Sequence, residues 1–160
     1  MNAPLAQHIL NYAGTDLLCY RADGDAALAA KQEALWNPWL EWLEETHGVT
    51  LRYTSGIMPL GQDEAAISRL RNNVASLPPQ TLQPLHDLTV LLGSVVLALA
   101  VVQGELAAEE AFALSVLDEM HQSERWGEDE EKTARLEARK RDIMAAAESL
   151  HSKTPRQEAK

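Results

Sequence analysis

One long segment of the chain is apolar on every side of the helix that it predicts. From Leu85 to Gln103 the sequence has helical periodicity, and beyond Asp87 apolar residues cover the whole circumference. A helix of this kind has to be surrounded by other elements. Its apolar part is interrupted by Gly93 and Ser94 and falls short of the roughly 20 residues that cross a bilayer. We therefore predict a central core helix with other helices packed around it.

The remaining segments predict about five further helices, because Gly and Pro separate stretches whose apolar residues have helical spacing. The predicted ranges are residues 5–19, 25–46, 62–77, 107–126 and 128–150. Asp25 is a good N-cap for the second of these helices, and Pro38 should kink or split it. The predicted fold class is mainly α, with one domain over residues 1–150 and a disordered C-terminal tail over residues 151–160.

A short β element is predicted after Gly48, near residues 49–58. Val49, Leu51 and Tyr53 alternate with polar residues, as they do in a strand with one buried face. A single strand cannot satisfy its own backbone hydrogen-bonding groups. The pattern therefore requires a partner strand, which it does not identify.

Charge and cysteine content argue against several classes of function. Fourteen Lys and Arg side chains against 24 Asp and Glu give the 160-residue chain a formal net charge of −10. This sign is unfavourable for binding phosphate backbones or anionic lipid, so we expect neither a nucleic-acid partner nor membrane insertion. Cys19 is the only cysteine, which excludes an intrachain disulfide and a Cys-rich zinc site. The first residues lack the features of a secretory signal or transit peptide, and we expect a cytoplasmic protein.

Two pairs of residues have the carboxylate-x-x-His spacing of metal-binding helices. They are Glu44 with His47 and Asp118 with His121. Di-iron helical bundles use two such pairs together with carboxylates from two more helices, and the predicted central helix has no inward carboxylate. We therefore predict no metal site, and a di-metal (iron or manganese) carboxylate oxidase is kept as an alternative.

Motifs of nucleophilic catalysis are absent from the sequence. There is no Gly-x-Ser-x-Gly elbow and no glycine-rich phosphate loop, and Cys19 has no activating neighbour in sequence. His86 and Asp87 resemble a general acid/base pair, but Asp87 is explained by the dipole of the core helix at its first turn. We predict no catalytic residue and no cofactor.

Three of the four tryptophans lie in the second predicted helix. Trp36, Trp39 and Trp42 are three residues apart, so each is rotated about 60° back from the previous one. At least one of them should reach the rim of the core. Packing explains most of this pattern, while a partly exposed Trp39 or Trp42 is also typical of an anchor for a protein partner.

The fifth predicted helix places a carboxylate on each of two apolar sides. Glu124 lies near the middle of a stripe that contains Leu117, whereas Glu119 lies nearly opposite, between Phe112 and Trp126 at seven-residue spacing. These glutamates either pair within the protein, for example with Arg125 or Arg69, or they emerge at a surface that receives a basic group.

Five blocks of sequence, spread in order over nearly the whole chain, occur together in one known family. They are Thr15 to Ala22 (TDLLCYRA), Trp36-x-Pro38 with Trp42, Thr54-x-Gly56-Ile57, Leu92-Gly93-Ser94, and Leu117 to Asp129. In these blocks the chain resembles the chaperones that assemble the catalytic head of F-type ATP synthase, in particular the type that attends the alpha subunit.

The resemblance implies a non-enzymatic protein with a mainly helical domain, located in the bacterial cytoplasm or the mitochondrial matrix. Such a chaperone holds the unassembled alpha subunit until the beta subunit replaces it, and takes no small-molecule substrate. The acidic positions of the family that are tied to function correspond to Glu119 and Glu124, beside Trp126. We expect these three residues to bind the partner, with Trp39 or Trp42 as a further anchor. A generic acidic helical interaction module is the other alternative.

The chain differs from the family pattern in two respects. Family members usually carry a smaller, β-rich N-terminal domain before the TDLLCYRA block, and only about fourteen residues precede that block here. We expect the chain to be either a natural short form or a fragment. His121 stands where the family tends to have an aromatic residue, which weakens the metal interpretation of Asp118 and His121.

Overall fold

A computed structural model describes residues 3–56, 60–127 and 129–152, and this part of the chain confirms the mainly helical fold. It contains eight α-helices rather than about six. The helices are α1 Ala3–Asn11, α2 Ala26–His47, α3 Glu64–Ala75, α4 Leu82–Leu92, α5 Val95–Val102, α6 Ala108–Ser115, α7 Leu117–Trp126 and α8 Glu130–Ser152. Two short strands, β1 Tyr20–Arg21 and β2 Thr54–Ser55, complete the fold. The predicted C-terminal tail begins too early, because α8 continues to Ser152, and residues 153–160 lie outside the described residues.

The predicted core helix is at the centre of the molecule, but it is two helices. All residues of α5 from Val95 to Val101 are buried, and α4 and α2 pack against this helix. The predicted continuous helix is broken because Gly93 ends α4 with a positive φ of 73°. Ser94 then begins α5, and its Oγ accepts a hydrogen bond from Leu97 N at 3.0 Å.

A buried carboxylate holds this break in place. Asp16 Oδ2 accepts hydrogen bonds from the first two N–H groups of α5, those of Val95 at 2.8 Å and Val96 at 3.1 Å. Its Oδ1 accepts a third from Leu18 N at 3.0 Å. The N-terminus of a helix presents unpaired N–H groups and favours negative charge, so the carboxylate replaces their missing partners. The predicted first helix therefore ends early, at Asn11, because the chain around Asp16 turns to contact α5.

Helix α2 runs through Pro38 without being split. Asp25 caps it as predicted, and its Oδ1 accepts from Leu28 N at 3.1 Å. Trp36 is the largest fully buried side chain, and its indole N–H donates to Leu114 O at 2.9 Å. The helix ends at Gly48, which has a φ of 69°.

The predicted β element is reduced to β2, and Val49, Leu51 and Tyr53, whose alternation predicted a strand, lie before it. The partner of β2 lies in the TDLLCYRA block. Strand β2 pairs in parallel with β1, so that Tyr20 lies opposite Thr54. The ladder is shorter than the predicted element, because the backbone of Arg52 bonds instead to the Gln62 amide at 2.9 Å in both directions. Residues 57 and 58 of the predicted element lie outside the described residues.

The predicted fifth helix is also two helices, α6 and α7. They meet at Val116, where the backbone leaves the helical region with φ −118° and ψ 26°. Ser115 Oγ donates to Phe112 O at 2.7 Å and so competes for backbone groups at the end of α6. No helix in the described part of the chain combines the length and hydropathy that a membrane span requires.

Candidate functional site

Polar side chains join the first half of α2 to α7. Gln32 is buried between the two helices; its Oε1 accepts from Ala22 N at 2.7 Å and its Nε2 donates to Asp118 Oδ1 at 3.0 Å. The buried polar atoms of this side chain are thus satisfied from both sides. The amide of Gln32 fixes the position of α7 against α2.

A second polar contact lies one helical turn further along α7. His121 is buried, with Nε2 3.1 Å from Asp25 Oδ2 and Nδ1 3.2 Å from Lys31 Nζ. An ammonium group can only donate, so we assign Nδ1 as the acceptor and Nε2–H as the donor to Asp25. Asp25 therefore has two structural roles, since it also caps α2.

Three of the four residues in the two carboxylate-x-x-His pairs make side-chain hydrogen bonds within the fold. Asp118 and His121 bond to separate side chains of α2, as described above, and His47 Nε2 lies 2.8 Å from Gln103 Oε1. Among residues 3–56, 60–127 and 129–152, no group of three or more His, Cys, Asp and Glu side chains has the arrangement of a metal site.

Glu124 extends this polar contact to the surface. Its Oε1 lies 3.0 Å from Lys31 Nζ, and 68% of its side chain is exposed. A hydrogen bond from Lys31, and then the charge of the ammonium group, lower the pKa of Glu124. The sequence left open whether Glu124 pairs within the protein or emerges at a surface. In the structure it pairs within the protein, with Lys31 rather than with Arg69. The side chain of Arg125 lies outside the described part. The carboxylate remains charged at neutral pH and accessible to a partner.

Trp126 and Glu119 lie near opposite ends of α7. Trp126 is the last residue of the helix and is 78% exposed, more than any other large hydrophobic side chain among the described residues. Glu119 is half-buried and lines a groove of about 560 Å³ between α7 and α8. Glu119 and Glu124 are five residues apart, about 140° around the helix, so they point to different surfaces. The prediction that Glu119 lies between two aromatics on one helix is wrong, because α6 ends before α7 begins.

Trp39 and Trp42 form a separate aromatic pair. Their rings meet edge to face with centroids 6.0 Å apart, and Trp42 also meets His47 at 5.3 Å. Both are half-buried and pack against the core. Trp42 follows Lys31 by eleven residues, about 16 Å along α2. The structure therefore does not bring this pair together with Glu124.

Comparison with known proteins identifies the family. The family described as ATP12 chaperone protein matches residues 1–44. The solved structure of Atp12 from Paracoccus denitrificans superposes with a TM-score of 0.89 at 42% sequence identity, over 94% of this chain and 66% of that one. The chain belongs to the ATP12 chaperone family.

Two further similar proteins agree with this assignment. A protein of Agrobacterium tumefaciens described as a candidate chaperone has a TM-score of 0.88 at 39% identity, over 94% of this chain and 57% of that one. The mitochondrial protein atp12 of Schizosaccharomyces pombe is 28% identical over 129 residues. That alignment covers 77% of this chain and 44% of the yeast protein, so the chain spans less than half the length of this relative.

In this ATP12-family chain, sequence reasoning missed Arg21 as a structural residue. It is buried, and its Nε donates to Leu18 O at 2.7 Å. The guanidinium carbon lies 4.0 Å from the Tyr53 ring centroid and 5.6 Å from that of Trp36. Such cation–π contacts join the TDLLCYRA block to α2. The sequence signal of this role is the position of Arg21 directly after the apolar residues 17–20 of that block.

We predict that the Cys19 thiol does not react in the folded protein. Burial, together with the nearby Asp16 carboxylate, raises the pKa of Cys19, and Gln62 Nε2 lies 3.6 Å from its Sγ. Because the thiolate is the reactive species, a disulfide-exchange reagent should label native protein at least about 100-fold more slowly than protein in urea. Rapid stoichiometric labelling without denaturant would contradict this placement of the thiol.

Proposed function

We propose that this chain is an assembly chaperone for the catalytic head of F-type ATP synthase. It binds the unassembled alpha subunit, shields its assembly surface, and is replaced by the beta subunit. Membership of the ATP12 chaperone family supports the proposal, and the observation that points to particular residues is the exposure of Trp126 at the end of α7, two residues after the exposed and charged Glu124. A large apolar side chain that the fold leaves exposed is typical of a binding surface.

The contact is non-enzymatic and uses both polar and apolar groups. Trp126 inserts its indole into an apolar site on the alpha subunit, and Glu124 accepts a hydrogen bond from a basic group there. Glu124 is already charged and already positioned by Lys31 at 3.0 Å, so little ordering is required on binding. Glu119 lies on the same side of α7 as Trp126, near the other end of the helix, and the Trp39–Trp42 pair lies further along α2. These residues take part where the partner extends along α7 or α2.

Release follows from the kind of surface that is used. Unassembled subunits expose apolar area that aggregates, and a chaperone has to cover this area without preventing assembly. A contact built from one exposed aromatic and solvent-accessible charges associates quickly and dissociates readily. The larger native interface with the beta subunit then displaces it. The work takes place where ATP synthase is assembled, in the bacterial cytoplasm or the mitochondrial matrix.

Co-expression with the alpha subunit tests the proposal. We expect alpha to be mostly insoluble when expressed alone, and to become soluble and co-purify with this chain when both are produced. The beta subunit, expressed in the same way, serves as the control and should gain nothing. Alpha that stays insoluble in the presence of folded chain, or a chain that rescues beta equally well, would refute the proposal.

A further inference from the structure

A basic groove lies on the side of α7 that faces away from Lys31. Three cationic side chains of α8, Lys132, Arg135 and Arg139, line it, together with two carboxylates, Asp142 of α8 and Glu119 of α7. Their spacing of three and four residues places the cations in one row along the helix. The groove has a volume of about 560 Å³.

The cations of this groove are poorly neutralised within the chain. Lys132 Nζ makes one hydrogen bond, to the backbone O of Glu119 at 3.2 Å. Among the residues that the structure describes, Arg135 and Arg139 have no carboxylate within 4.0 Å, although Glu131 precedes Arg135 by four residues on α8. Three clustered cations are unexpected on a chain of net charge −10, in which carboxylates outnumber basic groups by 24 to 14.

The basic groove continues into an apolar depression on α4. Arg139 and Glu119 also line this second depression, of about 360 Å³, together with Leu17, Val90 and Leu91. Val90 is 43% exposed, so this aliphatic side chain is accessible to a partner. A chain segment lying along α8 would thus meet guanidinium groups first and aliphatic side chains next.

We propose that this groove binds an acidic segment of a partner protein. Two carboxylates of the segment pair with Arg135 and Arg139, which are one helical turn apart, and an aliphatic residue that follows covers Val90. A guanidinium group offers paired N–H donors that match a carboxylate. Carboxylates spaced about 6 Å apart fit this row, as at four-residue spacing on a helix. Long polyanions fit poorly because the net charge of the chain repels them.

This inference goes beyond the proposed function: the groove shares Glu119 with the residues proposed to contact the alpha subunit, but its cations and Val90 are not among them, and it is separate from Glu124. Its test uses a peptide instead of an ATP synthase subunit, so the two proposals can fail independently. The probe is a short fluorescein-labelled helical peptide with two glutamates four residues apart, followed by leucines. Fluorescence anisotropy at low salt should show saturable binding, and the same peptide with glutamines in place of the glutamates should not bind.

Two charge reversals on α8 form a matched pair. Arg139→Glu should weaken peptide binding at least about tenfold, because the guanidinium is replaced by a like charge. Arg141→Glu changes an exposed residue on the same helix that does not line the groove, gives the same net charge, and should leave binding within about twofold. Circular dichroism checks that both variants fold.

Three results would overturn the assignment. One is the absence of saturable peptide binding to the folded wild-type chain. The second is an equal loss in the two α8 variants, which would mean that only net charge matters. The third is tighter binding of a DNA duplex or of phosphatidylserine vesicles than of the peptide, since the groove would then recognise phosphate.

Discussion

Replacing Asp16 by alanine is expected to lower the free energy of unfolding by at least about 3 kcal/mol at pH 5. The substitution leaves the N–H groups of Leu18, Val95 and Val96 without an acceptor in a fully buried site. Each buried group that loses its partner costs about 1–3 kcal/mol. Urea denaturation followed by tryptophan fluorescence measures the loss.

Two variants bracket this result. Asp16→Asn keeps the shape but replaces one acceptor oxygen by an NH₂ group, so it should lie between wild type and alanine. Asp63→Ala is the control: Asp63 precedes α3 as its N-cap but is exposed, and its side chain makes no capping hydrogen bond. We expect this control to cost less than about 1 kcal/mol. Equal losses at Asp16 and Asp63 would contradict the role of the buried carboxyl group.

The same carboxyl group makes stability depend on pH. Burial raises the pKa of Asp16 to about 6 from 3.8, against the opposing effect of its hydrogen bonds. Between these two pKa values the folded state therefore keeps a proton on Asp16 that the unfolded state has lost. The stabilising contribution of this carboxyl group is present below pH 4 and is lost as pH rises through 6. This shift corresponds to about 3 kcal/mol.

The pH effect is measured as the difference in the free energy of unfolding between wild type and Asp16→Asn. The advantage of wild type over Asp16→Asn, which cannot titrate, should shrink as pH rises from 4 to 7, because other groups cancel in the comparison. Parallel curves for the two proteins over this range would show that Asp16 does not titrate in the predicted window.

Glu124→Lys is expected to weaken binding of the alpha subunit at least about tenfold without unfolding the chain. The substitution places an ammonium group beside Lys31 and repels the basic group of the partner. Because the side chain is exposed, the fold should be unaffected. Competition between each variant and differently tagged wild-type chain for co-expressed alpha subunit measures the relative affinity, and Glu137→Lys, an exposed position on α8, is the control of equal charge.

A charge swap separates direct contact from support of the fold. The double variant Lys31→Glu with Glu124→Lys restores an ion pair in the reverse sense. If Glu124 contacts the partner directly, the double variant should bind alpha as poorly as Glu124→Lys alone. Full recovery of affinity in the double variant would show that only the internal pair matters.

Trp126, the apolar residue of the proposed contact, is expected to contribute to the affinity for the alpha subunit. Trp126→Ala should weaken alpha binding about 30-fold, the cost typical of an aromatic hot spot. The residue is 78% exposed, so its removal should leave the unfolding transition unchanged. An affinity equal to that of wild type would exclude Trp126 from the contact.

The sequence predicts elements best where the signal is local. Neighbouring residues alone predict the apolar core segment, the N-cap at Asp25 and the end of α2 at Gly48. The break at Gly93 escapes prediction because it depends on Asp16, whose carboxylate arrives from about 80 residues away. The helical periodicity of apolar residues contains no information about so distant an acceptor, so it predicts one continuous helix where the structure has α4 and α5.

The candidate site is predictable only in part for the same reason. Helical projection of the sequence places Glu119 and Glu124 on different sides of a helix, and the two do face different sides of α7. Lys31 as the partner of Glu124 could not be inferred, because 93 residues separate them in sequence. The basic groove on α8 is also hidden in the sequence, since a row of charges there is typical of a solvated helix surface.

The central claim is tested most directly by size-exclusion chromatography of purified chain with alpha subunit, with beta subunit, and with both. We predict that the chain elutes with alpha and not with beta, and that adding beta to the preformed complex releases the free chain while alpha moves with beta. A chain that fails to elute with alpha, or that stays bound after beta has joined, would contradict the proposed function.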